Sequence, residues 1–202
     1  MLMRVRFGGL GGQGVVLAGA ILGEAATAAG LNAAGSNSYG AAARGTACRA
    51  DVVVSDGPIA YPHISTADVL AVLSQAAFEK FLPGLAPGGT VIADDFSVEG
   101  GPSGAFSFHA VPVTTTAVRE FGSRQGANII LLGVVLGATD AVPVAAVEQA
   151  IRTTVRERFH AVNLKALTLG VEMGRAIREG RPIPAGEGEG NREEVSGGRS
   201  NA

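Results

Sequence analysis

The run Gly9-Leu10-Gly11-Gly12-Gln13-Gly14 constrains this chain most, because it stands between a short apolar stretch and a long alanine-rich one. Arg4-Val5-Arg6-Phe7 reads as a strand and Gln13 to Gly30 as a helix, so the glycines fall in the first strand-to-helix turn of an α/β unit. Without a Cβ such a turn can be tight, and it can present backbone N–H groups at a helix N-terminus, where an anion docks. The spacing fits G-x-G-x-x-G, which alone is a weak signal for a dinucleotide. A dinucleotide site also wants an acidic residue about 20 residues further on, to hold the ribose hydroxyls. No Asp or Glu stands between Ala25 and Asp51, and the second strand, near Leu31 to Ser36, runs out into Gly35-Ser36-Asn37-Ser38. NAD and FAD are therefore disfavoured. The glycines hold another anion, or they serve only close helix–strand packing.

Alternation continues along the chain. Arg49 to Ser55 reads as a strand, Asp56-Gly57 as a hairpin turn, and Pro58 to Tyr61 as the returning strand. Asp68 to Leu73, Thr90 to Asp94 and Phe106 to Val111 read as further strands, with a short helix from Gln75 to Leu82 between the first two. From Thr114 the pattern is helical: Thr114 to Phe121, Ala127 to Gly137, a helix starting near Pro143 with Asp140 before it, and Asn163 to Glu179. Residues 183–202, rich in Gly, Glu and Ser, read as a disordered tail behind a single domain over 1–182. The expected fold class is α/β: a doubly wound, mostly parallel, Rossmann-like sheet with one antiparallel hairpin.

Charge and cysteine content exclude several functions. A formal net charge of −2 offers no basic footprint for nucleic acid. No uninterrupted apolar stretch reaches the length of a membrane span, and the N-terminus does not read as a signal peptide, so a cytoplasmic, soluble chain is expected. The single cysteine, Cys48, cannot build an iron–sulfur or thiolate-zinc site and reads as a small buried side chain. His63, His109 and His160 show no ligand spacing, and neither Ser74 nor the Asp94-Asp95 pair finds catalytic partners, Asp94-Asp95 reading as a turn or cap. No catalytic residue and no metal ligand is assigned.

Two segments point outward. Between Phe7 and Ala43 the only charged residue is Glu24, so the first helix is apolar nearly all round, and coverage by another subunit is expected. The long loop after Ser36 carries Ser38, Tyr39 and a lone Arg44 between glycines, and arginine suits a carboxylate or phosphate. Ion pairing of Arg44 with Asp51 or Asp56 is the structural alternative.

Taken in order, Gly9 to Gly19, Ser38-Tyr39-Gly40, Arg44-Gly45, Arg49 to Asp56, Tyr61-Pro62, Asp68-Val69-Leu70, Leu73-Ser74-Gln75, Gly88-Gly89 and the Asn128 and Asn163 segments resemble the gamma subunits of 2-oxoacid:ferredoxin oxidoreductases, with wording nearest the 2-oxoglutarate type. Thr46 stands where that family often has a second glycine, and Ala42 where it often has an acid. The resemblance implies a multi-subunit enzyme that converts a 2-oxoacid, coenzyme A and oxidised ferredoxin into acyl-CoA, carbon dioxide and reduced ferredoxin. It implies alpha and beta partners, with a delta subunit and a dimer of the gamma chain left open. Thiamine diphosphate, Mg and 4Fe–4S clusters would sit on those partners, with none held by this chain alone. It also implies a coenzyme A contact, with Gly9, Gly11, Gly12, Gln13, Gly14, Ser38, Tyr39 and Arg44 as the candidate residues. A stand-alone nucleotide-binding module and a structural dimerisation module are the competing readings.

Overall fold

Residues 1–38, 46–101 and 105–184 are described in a computed structural model of the chain. The elements follow in order: β1 (Leu2–Leu10), α1 (Val15–Ala28), β2 (Asn32–Ser38), β3 (Ala47–Ser55), β4 (Ala67–Val72), α2 (Gln75–Phe81), β5 (Leu85–Asp94), β6 (Ser107–Val111), α3 (Val113–Phe121), α4 (Ala127–Thr139), α5 (Val144–Thr154) and α6 (His160–Arg178). The strands form one sheet in the order β2-β3-β1-β4-β5-β6. β1 with β4, β4 with β5 and β5 with β6 pair in parallel, whereas β3 runs antiparallel to both its neighbours, β1 and β2.

The mostly parallel α/β sheet is thus as expected, but its antiparallel part is β3 and not a hairpin at Asp56-Gly57. Residues 58–61 form no strand. β3 has no edge left to offer them, since β1 occupies one side and β2 the other. Pro58 and Pro62 also remove two of the donors that a ladder would need. β1 is longer than expected and absorbs Gly8, Gly9 and Leu10, which pair with Arg49, Cys48 and Ala47. Asp140 closes α4 in the left-handed region at φ 54, and does not open α5.

Alternation along β1 sends Val5 and Phe7, both fully buried, to one face. There they join Val15, Ile21 and Leu22 of α1 and Ile129 to Leu132 of α4 in the main core. The other face carries a smaller cluster, Leu70, Val72, Val91 and Ala93 beneath Phe78 and Phe81 of α2. Helices therefore cover both faces.

α4 is buried along ten of its thirteen residues, an apolar helix enclosed on every side. Its tightest neighbour is α6. A Cβ on Gly170 would stand 2.0 Å from the Ile130 carbonyl, and one on Gly174 2.2 Å from that of Val134. Gly133 and Gly137 meet the backbone of α6 in return, at 2.5 and 2.3 Å from Leu167 O and Val171 O. The two helices touch main chain to main chain, which only glycine permits.

The apolar girth of α1 is largely met within the chain, by β2 and β3 beneath it and by α4 and α5 beside it. α5 is amphipathic and turns Val147, Ala150 and Ile151 inward, so it covers the side expected to require another subunit. Glu24 fastens the two helices, accepting hydrogen bonds from the Thr153 and Thr154 hydroxyls at 2.5 and 2.6 Å. Those donors hold its carboxyl below the ordinary carboxylate range. What stays open on α1 is a strip at Ala20, Gly23, Glu24 and Thr27, beside a groove of about 330 Å³ against β2. Ile183 rests half-buried on the main core, while 185–202 of the expected tail lie outside the described residues. Among the described residues no helix is long and apolar enough to cross a membrane.

Candidate phosphate-binding turn

β1, β2, β4 and β5 end at the same edge of the sheet, and antiparallel β3 begins there. α1 and α2 leave β1 and β4 for opposite faces, which opens a crevice between those two strand ends. Ligands of open α/β sheets bind at such a reversal.

The glycine turn occupies that crevice, and each glycine has its own reason. Gly9 lets Gln13 and Val15 close over β1: a Cβ there would meet Gln13 Oε1 at 2.8 Å and Val15 Cγ1 at 2.9 Å. Gly12 and Gly14 adopt φ of 98° and 74°, where side chains are strained. Gly14 is the residue preceding α1, and no side chain caps that end of the helix. A Cβ on Gly12 would meet nothing within 4 Å, so the turn is open to solvent there. The amide of Gly11 donates to Thr46 O at 3.3 Å, tying the turn to the start of β3.

Gln13 braces the turn. Its Oε1 accepts from the Leu10 amide at 2.6 Å, and its Nε2 donates to Leu73 O at 3.0 Å, just beyond β4. One side chain therefore spans the crevice from β1 to β4, so Gln13 is a positioning residue with both polar atoms committed. Asn128, in the first turn of α4, donates to Gly14 O at 3.1 Å. This second brace was not among the site residues read from the sequence, since only its glycine partner marks it. The chain's own side chains thus brace the turn from two sides.

Ser38 ends β2, exposed and directly opposite Arg49 of β3. Tyr39 and Arg44 lie outside the described residues. Among the described residues Asp51 pairs with Arg6 and Asp56 with the N-terminal ammonium of Met1, while the ion pairs considered for Arg44 lie outside what is described.

Other polar groups near this edge have structural duties. Ser74 caps α2, its Oγ accepting from the Ala77 amide at 3.3 Å. Asp94, fully buried, accepts from the amide and hydroxyl of Thr114 at 2.8 and 2.7 Å and so caps α3 from the end of β5. Cys48 is 5% exposed, and burial pushes its thiol pKa up. His160 Nε2 lies 2.7 Å from Val155 O, and burial lowers the pKa of His109. Among the described residues no three His, Cys, Asp or Glu side chains gather in a metal-binding group.

Residues 4–173 match the family of pyruvate ferredoxin/flavodoxin oxidoreductases. The chain belongs to that family. Its similarity runs the length of small subunits: it is 38% identical over 188 residues to the 2-oxoglutarate synthase subunit KorC of Methanothermobacter marburgensis, covering 90% of this chain and all (100%) of that one. With KorC of Methanocaldococcus jannaschii it shares 35% over 180 residues, 88% of this chain and 96% of the relative. Among solved structures it is similar to the keto/oxoacid ferredoxin oxidoreductase gamma subunit of Geobacter sulfurreducens, at TM-score 0.78 and 36% identity over 88% and 98% of the two chains. The 2-oxoglutarate:ferredoxin oxidoreductase of Magnetococcus marinus shares the fold at TM-score 0.77, with 20% identity over 90% of this chain and 32% of that one. This oxidoreductase-family chain is therefore of the gamma type that its motifs resemble.

Proposed function

We propose that the chain is the gamma subunit of a thiamine-diphosphate-dependent oxidoreductase that converts 2-oxoglutarate, coenzyme A and oxidised ferredoxin into succinyl-CoA, carbon dioxide and reduced ferredoxin. Likeness to two KorC subunits over nearly their full length supports 2-oxoglutarate as the substrate. Thiamine diphosphate and Mg are assigned to alpha and beta partners, and so are the iron–sulfur clusters, since a single buried cysteine, 5% exposed, cannot ligate a cluster. The complex works in the cytoplasm.

This subunit contributes a phosphate-binding turn for coenzyme A. The observation that carries this reading is the open, braced turn at Gly12-Gln13-Gly14, set at the N-terminus of α1 in the crevice between β1 and β4. Backbone amides at a helix start favour a phosphate, and the bracing by Gln13 and Asn128 means little ordering is required on binding. The Magnetococcus relative was solved with coenzyme A and succinyl-CoA bound, which agrees in ligand class. Ser38, the last residue of β2, and Tyr39 and Arg44, later in the chain, are proposed as further contacts.

The test is isothermal titration of coenzyme A into the reconstituted complex carrying Gly12→Ala. The new methyl enters the space that the phosphate would use, and affinity is expected to fall by about tenfold or more. Gly88→Ala is the control, another left-handed glycine with open surroundings and no place near the crevice. Equal affinities for the two variants would overturn the assignment.

A further inference from the structure

Below α2, on the opposite face of the sheet from α1, three cationic groups surround one aromatic ring, and a carboxylate pairs with one of them. Arg6, Arg49 and Lys80 place their cationic ends 5.9, 5.8 and 5.6 Å from the ring centroid of Phe81. Phe81 can sit there because Gly8 beneath it has no side chain; a Cβ would stand 3.0 Å from the ring. The carboxylate of the set is Asp51. Both its oxygens accept from Arg6, at 2.7 and 2.8 Å, and Arg6 Nη2 also donates to Ile64 O at 3.0 Å. Arg6 and Asp51 are closed off, at 3% and 2% exposure.

Arg49 is left over. Its Nε lies 3.4 Å from Asp51 Oδ2, too loosely to take that oxygen from Arg6. Among the described residues neither of its Nη atoms has a hydrogen-bond partner. Its side chain is 35% exposed, so it is held by the ring and the carboxylate yet open to solvent. An arginine held near Asp51 at Nε and stacked on a ring has already lost much of its rotamer freedom, and it presents a pair of donors that no described residue takes. Ser38 stands directly opposite it across the β2–β3 ladder, exposed on the same face. Three cations against one carboxylate leave the cluster positive.

We propose that Arg49 and Ser38 form an oxyanion subsite for a phosphate-bearing ligand on the α2 face of the sheet, separate from the glycine turn. The guanidinium receives two phosphate oxygens through its Nη donors, Ser38 adds a hydroxyl donor, and Lys80 supplies the charge that favours a doubly charged anion over a carboxylate. The paired Arg6 and Asp51 fix the plane of Arg49 without competing for the ligand.

The experiment titrates the full chain with sodium pyrophosphate at constant ionic strength and follows the arginine Nε–H resonances. The Arg49 signal, identified by its loss in Arg49→Lys, is expected to shift saturably. Pyrophosphate affinity should fall by about tenfold or more in Arg49→Gln, and by less in Arg49→Lys, which keeps the charge but loses the fork. In Gly12→Ala the saturable shift of the Arg49 signal should persist, whatever pyrophosphate the turn itself takes, which separates this subsite from the coenzyme A reading of the turn. Loss of the Arg49 shift in Gly12→Ala would overturn the subsite and assign the anion to the turn. A shift that sodium chloride reproduces at equal ionic strength would overturn it as simple screening.

Discussion

At the scale of single residues, the molecule contains two arginine–aspartate pairs of opposite worth. Arg4 grips Asp68 through Nε and Nη2 at 3.0 and 2.6 Å, but both side chains are about a third exposed, at 32% and 34%. Arg6 grips Asp51 with the same two-pronged geometry under Phe81 and Ile64, at 4% and 1% side-chain exposure. Asp51→Asn is therefore expected to destabilise the fold by about 3–5 kcal/mol, since it strands a buried guanidinium. Asp68→Asn should cost about 1 kcal/mol or less, because water screens that pair. Urea denaturation of both variants measures the gap, and equal midpoints would refute the claim. Little of this was legible in the chain: Arg4 and Arg6 are identical residues two apart in one strand. What separates them is the cover that residues far along the chain lay over Arg6. The glycine turn was more readable, because a positive φ selects glycine locally at Gly12 and Gly14. The braces on it were not, since Gln13 reaches Leu73 and Asn128 reaches Gly14 only once the fold has brought them together.

Among the elements, the joint between α4 and α6 decides stability most sharply. Gly133 and Gly137 face Gly170 and Gly174, each pair spaced by four, and every one of these glycines would drive a Cβ into main chain. Gly170→Ala would place a methyl 2.0 Å from Ile130 O and should cost about 3 kcal/mol or more, because neither backbone can retreat. Gly23 of α1 gives the opposite sign. It lies mid-helix with nothing within 4 Å of its Cβ position, so Gly23→Ala should stabilise by about 0.5–1 kcal/mol. Thermal melts of the two variants test the contrast, and shifts of the same sign would contradict it. The four-residue spacing is visible in the sequence for all three helices and does not by itself predict which glycines are contacts. In α1 only Gly19 is one, its Cβ position 2.7 Å from that of Ala50 on β3. The strand–helix order was legible from periodicity, whereas the missing strand at 58–61 was not, because its exclusion depends on β2 having claimed the outer edge of β3.

For the whole molecule, Cys48 reports whether the enclosed core opens as one unit. It lies on β3, between α1 and the sheet, and pairs across to Gly9 of β1 beneath the glycine turn. Only the thiolate reacts with iodoacetamide. Two features suppress it here: exposure of 5%, and a thiol pKa that burial raises above its ordinary value of 9.0. Alkylation therefore requires the sheet to part from α1, and its rate in the native state should match that of global unfolding. Raising the pH towards that ordinary value should speed the reaction of the unfolded chain strongly and that of the native chain only as much as opening allows. Coenzyme A bound at the turn should slow alkylation in the assembled complex, since a ligand on Gly12-Gln13-Gly14 stabilises the closed arrangement of β1, β3 and α1. Mass spectrometry of timed samples measures all three rates. Fast labelling of the folded chain, with urea dependence far shallower than that of unfolding, would mean that the edge at Gly9 and Cys48 opens locally. The turn would then lack the rigidity on which its part in binding depends.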